Sequence, residues 1–243
     1  VSSAASDVYK RQAKCHRTIL ALIQIDFLSV LIMSHIYLNG ATDEFTKSEI
    51  TPMYTFDYLV FIGRFQPFHL AHLQTIEIAL QQSQNVILAL GSAQSERNIK
   101  NPFLAHEREQ MILSNFSEDE QKRIHFVHVV DVYNDEKWVK QVKTLVNQVV
   151  QPNAKVGLIG HFKDESSYYL ALFPEWQMVE LDSLKDSISA TPMREAYYRG
   201  EIQTEFFPKG TIEFLTEFKN TKVYVELQHK YLAGDKSNLD ECF

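Results

Sequence analysis

Residues 58–73 read YLVFIGRFQPFHLAHL, and QTIEIALQQ follows at 74–82. The run 58–63 has the continuous apolar character of a strand buried on both faces. Residues 69–82 place Leu70, Leu73, Ile76 and Leu80 at helical spacing. Between them the chain leaves the strand through Gly63 and Arg64, turns at Pro67 and enters the helix with His69 and His72 in its first turn. A glycine lets backbone and ligand approach closely. The first turn of a helix carries unpaired N–H groups and partial positive charge, so it is a ready anion site. Histidines three apart share one face there, and Arg64 adds a permanent charge. This set suits a polyphosphate.

The rest of the chain repeats the strand-then-helix pattern. Further strands are expected at 85–91, 124–131, 154–160 and 176–182. Helices are expected at 101–116 and 137–150, with another starting after ISATPMR (188–194). Such alternation predicts an α/β, Rossmann-like parallel sheet of about five strands with helices on both faces. Ligands bind outside the carboxyl ends of such strands. The polar clusters fall at those ends: Gly63-Arg64, Gly91-Ser92, Asp131, Gly160-His161 and Ser189 to Arg194. In the last of these, Ser189 and Thr191 are N-cap types, Pro192 suits a first helical turn and Arg194 stands beside free N–H groups. This makes a second expected anion cradle. Glu107 and Arg108 read as a solvated pair on a helix surface as readily as a functional one.

Composition limits the remaining options. The 243 residues are 45% hydrophobic and 23% charged, as in a soluble globular protein, with net charge −7. An acidic chain disfavours a nucleic-acid partner, so any phosphate site must be a local positive patch. Cys15 and Cys242 form no C-x-x-C pair or disulfide framework, which points to a reducing, cytoplasmic compartment. The apolar stretch 19–33, ILALIQIDFLSVLIM, is shorter than the about 20 residues a membrane span needs and contains Gln24, Asp26 and Ser29. No membrane partner is expected. The opening VSSAASDVYKRQ reads as translated adapter sequence, and residues 13–52 as translated upstream DNA. Residues 1–52 are therefore expected as a non-native or disordered leader, 53–220 as the folded domain, and 221–243 as a linker or the start of a further domain.

GRFQPFHLAH resembles the H-x-G-H signature of the nucleotidyltransferase superfamily, and ISATPMR resembles its I-S-S-T-x-x-R signature. Ala71 replaces the signature glycine and Ala190 its second serine; both substitutes are small. GRFQPFH, ALGSAQ, NPF…ER and DVYNDEKWV together resemble the nicotinamide mononucleotide (NMN) adenylyltransferases, in particular the form that carries a C-terminal Nudix domain. The Nudix pattern G-x5-E-x7-R-E-x-x-E-E-x-G does not occur in the sequence.

The resemblance implies adenylyl transfer from ATP to NMN. His69, His72 and Arg194 would be the catalytic set. Gly63, Arg64, Phe65, Gly160, His161, Ser189 and Thr191 would join them around ATP. Lys100, Asn101, Asn134 and Trp138 would take NMN, with Trp138 packed on the nicotinamide ring or, alternatively, on the sheet. Mg²⁺ would arrive on the ATP phosphates, since no carboxylate cage is evident. Two other readings stay open: another adenylyl- or cytidylyltransferase of the superfamily, such as the pantetheine-phosphate type, and a non-catalytic NAD or ATP sensor. The sequence also leaves open a homo-oligomer.

Overall fold

A computed structural model describes residues 54–161, 165–181 and 189–234 of the chain. The chain divides after Pro52, and every described residue belongs to the second unit, Met53–Phe243. The expected leader 1–52, Ile188 of the second signature and the tail 235–243 lie outside the described residues.

Strands β1 (Phe56–Gly63), β2 (Ser83–Leu90), β3 (Ile124–His128), β4 (Val156–Gly160) and β5 (Gln177–Glu180) form one sheet in the order β3-β2-β1-β4-β5. Every neighbouring pair is parallel. Along β1 the side chains alternate between two cores. Leu59 and Phe61 join one with Ile76 and Leu80 of α1 (Leu70–Gln82) and Met111 and Ile112 of α2 (Ala105–Leu113). Tyr58, Val60 and Ile62 join the other with Val142 and Val146 of α4 (Asp135–Asn147). A short helix α3 (Glu118–Gln121) lies between α2 and β3. Burial on both faces is why β1 and β2 read as uninterrupted apolar runs. The chain steps outward from β1 through β2 to β3, then returns to lay β4 on the opposite edge of β1. That reversal opens a crevice at the carboxyl ends of β1 and β4.

Several expected boundaries move, each for a local reason. β3 ends at His128 instead of 131 because the Gln141 amide takes over the main chain of Val130, donating to its carbonyl and accepting from its N–H, both at 2.9 Å. The helix expected from 101 starts at Ala105. The residues before it form a turn around the Asn98 side chain, which accepts from the N–H groups of Lys100 (2.9 Å) and Asn101 (2.8 Å).

Residues 221–243 were expected as a linker or the start of a further domain, and the structure gives 222–232 a definite place. They form α7 (Lys222–Leu232), which follows α5 (Ala190–Tyr198) and α6 (Lys209–Phe218) and packs into the first core. Tyr224 and Leu227 are each 3% exposed. The Tyr224 hydroxyl donates to the Tyr197 carbonyl at 2.6 Å and the Gln228 amide to the Tyr198 carbonyl at 2.9 Å, capping the end of α5. The packing is apolar, and the Gln228 bond gives the Tyr198 carbonyl, in the last turn of α5, a partner. Ending the chain at Thr221 therefore removes two core side chains worth about 1.5–3 kcal/mol each. At about 2–4 °C per kcal/mol, a chain spanning 53–221 should melt several degrees below one spanning 53–234 in a thermal scan. Equal melting temperatures would return α7 to the status of a tail.

Candidate active site

The site is built on the strand ends. At β1, a Cβ on Gly63 would stand 2.9 Å from the Phe65 ring, so only glycine lets that ring fold back over the strand end. Phe65 itself has φ 51°, the left-handed region that L residues seldom adopt. Its ring is 1% exposed and lies edge-on to His72 with centroids 4.8 Å apart. Phe65 was expected at the ATP; with its ring buried, only its main chain is left to meet a ligand.

Helix α1 then opens with His69 as N-cap. The His69 and His72 rings stack face to face, with centroids 3.5 Å apart and planes 20° from parallel. The His69 main-chain N–H donates to His72 Nδ1 at 3.3 Å. An acceptor Nδ1 places the ring proton on Nε2, so this bond fixes His72 as an Nε2–H donor. The pair thus sits together at the helix N-terminus, as its spacing predicts.

Three arginines surround this end of the sheet. Arg64 is exposed, and its stem runs over Gly91, where a Cβ would meet Arg64 Cγ at 3.4 Å. Arg194, 7% exposed, donates through Nη1 to the Gln66 carbonyl at 2.7 Å and through Nη2 to Thr191 Oγ1 at 3.2 Å. Arg108, 1% exposed, donates through Nη1 to the carbonyls of Arg64 and Gly91, both at 2.8 Å. Burial first, with the positive charge of Arg64 acting in the same direction, pulls both buried guanidiniums down to about 10, while Glu109 and Asp131 offset part of the effect at Arg108. Neither has a carboxylate within ion-pair distance among the described residues. A concentration of buried positive charge without a matching anion is expensive, and an incoming polyphosphate would relieve it.

For Glu107 and Arg108 the sequence left two readings open. Arg108 is not one of a solvated pair. Glu107 instead takes both guanidinium nitrogens of Arg97 at 2.6 Å and the Leu104 N–H at 2.8 Å. Arg108 turns inward to bind the ends of β1 and β2. The signal was available: Leu104, Arg108, Met111 and Ile112 fall at helical spacing, so periodicity alone places Arg108 on the apolar face. Gln66 was missed. Its amide donates to the Phe103 carbonyl at 2.7 Å and accepts from the Phe103 N–H at 3.1 Å.

The remaining candidates spread around the rim. His161 is half-buried beyond β4, with Nε2 3.4 Å from Thr75 Oγ1 and Nδ1 3.2 Å from the Leu181 carbonyl. Gly160 ends β4 and is buried. Ser189 is the N-cap of α5 but makes no side-chain cap bond, so Thr191 serves this turn by holding Arg194. Asn101 Oδ1 is buried with no hydrogen-bond partner among the described residues. Asn134 is the N-cap of α4, accepting from the Lys137 N–H at 2.9 Å. That capping bond already explains Asn134 structurally. Trp138 is half-buried and meets Tyr169 (5.8 Å, 77°) and Phe173 (5.9 Å, 65°) edge to face. Among the described residues no group of three His, Cys, Asp or Glu side chains could hold a metal ion. The rim's own donors are cationic, so they fit the phosphates that would carry a divalent ion and not the ion itself. No helix among the described residues is long and apolar enough to cross a membrane.

Comparison with known proteins identifies relatives of the chain. Residues 60–225 match the cytidylyltransferase-like family model. A nicotinamide/nicotinic acid mononucleotide adenylyltransferase of Acinetobacter baylyi is 71% identical over 187 residues, 77% of this chain and 100% of that protein. A nicotinamide-nucleotide adenylyltransferase of Pyrococcus abyssi is 30% identical over 67% of this chain and 84% of its own length. Among solved structures, a bifunctional NMN adenylyltransferase/ADP-ribose pyrophosphatase of Francisella tularensis superposes with a TM-score of 0.67 at 36% identity, covering 77% of this chain. This chain spans 58% of that bifunctional protein. A second structure of it, at 35% identity, contains AMP and a Mn ion.

Proposed function

The chain belongs to the cytidylyltransferase-like family, and on that premise we propose that its rim moves the adenylyl group of ATP onto NMN. Adenylyl transfer to a pyridine mononucleotide, a step of NAD biosynthesis, is the activity its near relatives carry, at up to 71% identity. The observation that carries the site assignment is the convergence of Arg64, Arg194 and the stacked His69–His72 pair on one strand end. A phosphate oxygen of NMN attacks the α-phosphorus of ATP in line. The bond from that phosphorus to the bridging oxygen of the β-phosphate breaks, and pyrophosphate leaves with the electron pair. The attacking group is already a phosphate anion, so no side chain has to remove a proton. The chain's work is positioning and charge neutralisation.

Arg64 and Arg194 hold the triphosphate, while His69 and His72 offer donors where charge develops. Gly63, Gly160, His161, Ser189 and Thr191 complete the ATP side. Lys100 takes the NMN phosphate, and the buried Asn101 amide oxygen gives a polar group of the nucleotide a partner. Arg64, Arg194, His69 and His72 would hold the ATP phosphates, and a divalent ion such as Mg²⁺, if carried on those phosphates, would supply further charge neutralisation. The activity suits a cytoplasmic protein.

The test is pyrophosphate release from ATP and Mg²⁺ with NMN, nicotinate mononucleotide or phosphopantetheine as acceptor. Release is expected with the pyridine mononucleotides and not with phosphopantetheine. Release only with phosphopantetheine, or with none of the three, would overturn the reading.

Trp138 gives an independent check of the acceptor side. Stacking on a base-like ring is worth about 1–3 kcal/mol. Trp138→Ala should therefore raise KM for NMN roughly tenfold and leave KM for ATP near its original value. An equal loss for both substrates would assign Trp138 to packing with Tyr169 and Phe173 alone.

A further inference from the structure

Gln66 joins the two halves of the rim. It is 3% exposed, between Phe65 and Pro67. Its side-chain amide pairs in both directions with the main chain of Phe103, at 2.7 and 3.1 Å. Its own carbonyl accepts from Arg194 Nη1 at 2.7 Å. One residue therefore touches both the arginine assigned to the triphosphate and the turn that carries Lys100 and Asn101. The same two elements meet a second time. Tyr198 stands one helical turn beyond Arg194 on α5, so the two share a face. The Tyr198 hydroxyl donates to the Ile99 carbonyl at 2.9 Å, in the same acceptor-side turn. Tyr198 is 1% exposed, and its ring stacks on Tyr231 with centroids 5.2 Å apart. Arg194, Gln66, Phe103, Ile99 and Tyr198 thus close a buried circuit.

We infer that Gln66 is a positioning residue that couples the ATP side of the rim to the pyridine-nucleotide side, with Tyr198 as the second link. This rests on the site reading above. Arg194 cannot shift toward a triphosphate without moving the Gln66 carbonyl, and Gln66 cannot move without disturbing Phe103 and the turn before it. Every group in the circuit is buried and hydrogen-bonded, so breaking one link leaves an unsatisfied partner. Two sites joined in this way report each other's occupancy, and the coupling is reciprocal.

The experiment is calorimetric titration of NMN into the full chain, with and without saturating α,β-methylene ATP, whose α–β bond cannot be broken by transfer. In the unaltered chain the analogue should tighten NMN by a factor on the order of 5–150. Gln66→Glu keeps the size of the side chain and the acceptor for the Phe103 N–H but loses the donor to its carbonyl. In that variant the factor should fall toward one while each ligand still binds alone. Tyr198→Phe keeps the ring stack and removes one hydroxyl, so it should lower the factor in the same direction and decides the matter if Gln66→Glu does not fold. A structural role alone would lower the melting temperature and both affinities but leave the factor unchanged, and that result overturns the inference. Lys100→Ala separates the two levels. If it binds NMN as tightly as the unaltered chain, the acceptor-side reading and the coupling both fall. If it binds NMN weakly while Gln66→Glu and Tyr198→Phe keep the full factor, the coupling alone falls.

Discussion

Replacing Arg194 by alanine will lower the rate of adenylyl transfer by roughly 10³-fold or more, the range found when an arginine that neutralises a transferring phosphoryl group is removed. Arg194 is buried, and its guanidinium is pulled down to about 10 by desolvation first and by Arg64 next. A charge held in such surroundings acts on a phosphate with little screening from water. It is also preorganised: bonds to the Gln66 carbonyl and Thr191 Oγ1 fix the plane of the guanidinium before substrate arrives. Arg194→Lys should recover only part of the loss, because an ammonium cannot reproduce the two-point fork. Steady-state rates with ATP varied, and a thermal scan to verify folding, are the measurements. A folded alanine variant within tenfold of the original rate would remove Arg194 from the site.

His72→Ala should lower kcat by about 10²–10³ while changing KM for NMN little. The His69 N–H on Nδ1 commits the His72 proton to Nε2, giving a neutral donor at the N-terminus of α1. Such a donor is most effective where charge develops on the transferring phosphate, so its loss falls on kcat. His72→Asn, which keeps an N–H donor on a shorter side chain, should be less impaired than alanine. If alanine raises KM for NMN and spares kcat, His72 belongs to substrate binding and not to the transfer step.

Much of this was legible in the residues, and the misses have physical causes. β1, β2 and β4 are buried on both faces, so their apolar runs announce a parallel sheet. The His69–His72 pair and the turn before Arg194 were legible because helix N-termini draw on a small set of residue types. α7 was hidden because its sequence, KVYVELQHKYL, buries only Tyr224 and Leu227, too sparse a stripe to stand out. Arg108 stayed undecided because charge usually means surface; here the carbonyls at the ends of two strands needed a donor more than the guanidinium needed water. Gln66 was passed over because the amide of a turn residue gives no sign of a partner 37 positions away. The inward ring of Phe65 depends on a left-handed backbone at a non-glycine residue, which side-chain type does not forecast.

The most direct test of the rim as a site of one-step adenylyl transfer is a single turnover with ATP labelled at the α-phosphorus and the protein in excess. The expected result is that all label moves from ATP into a pyridine dinucleotide, only when NMN is present, with pyrophosphate released in equal amount and none of the label retained on protein. Label on the protein, pyrophosphate released without acceptor, or an unimpaired turnover in the Arg194→Ala chain would contradict it.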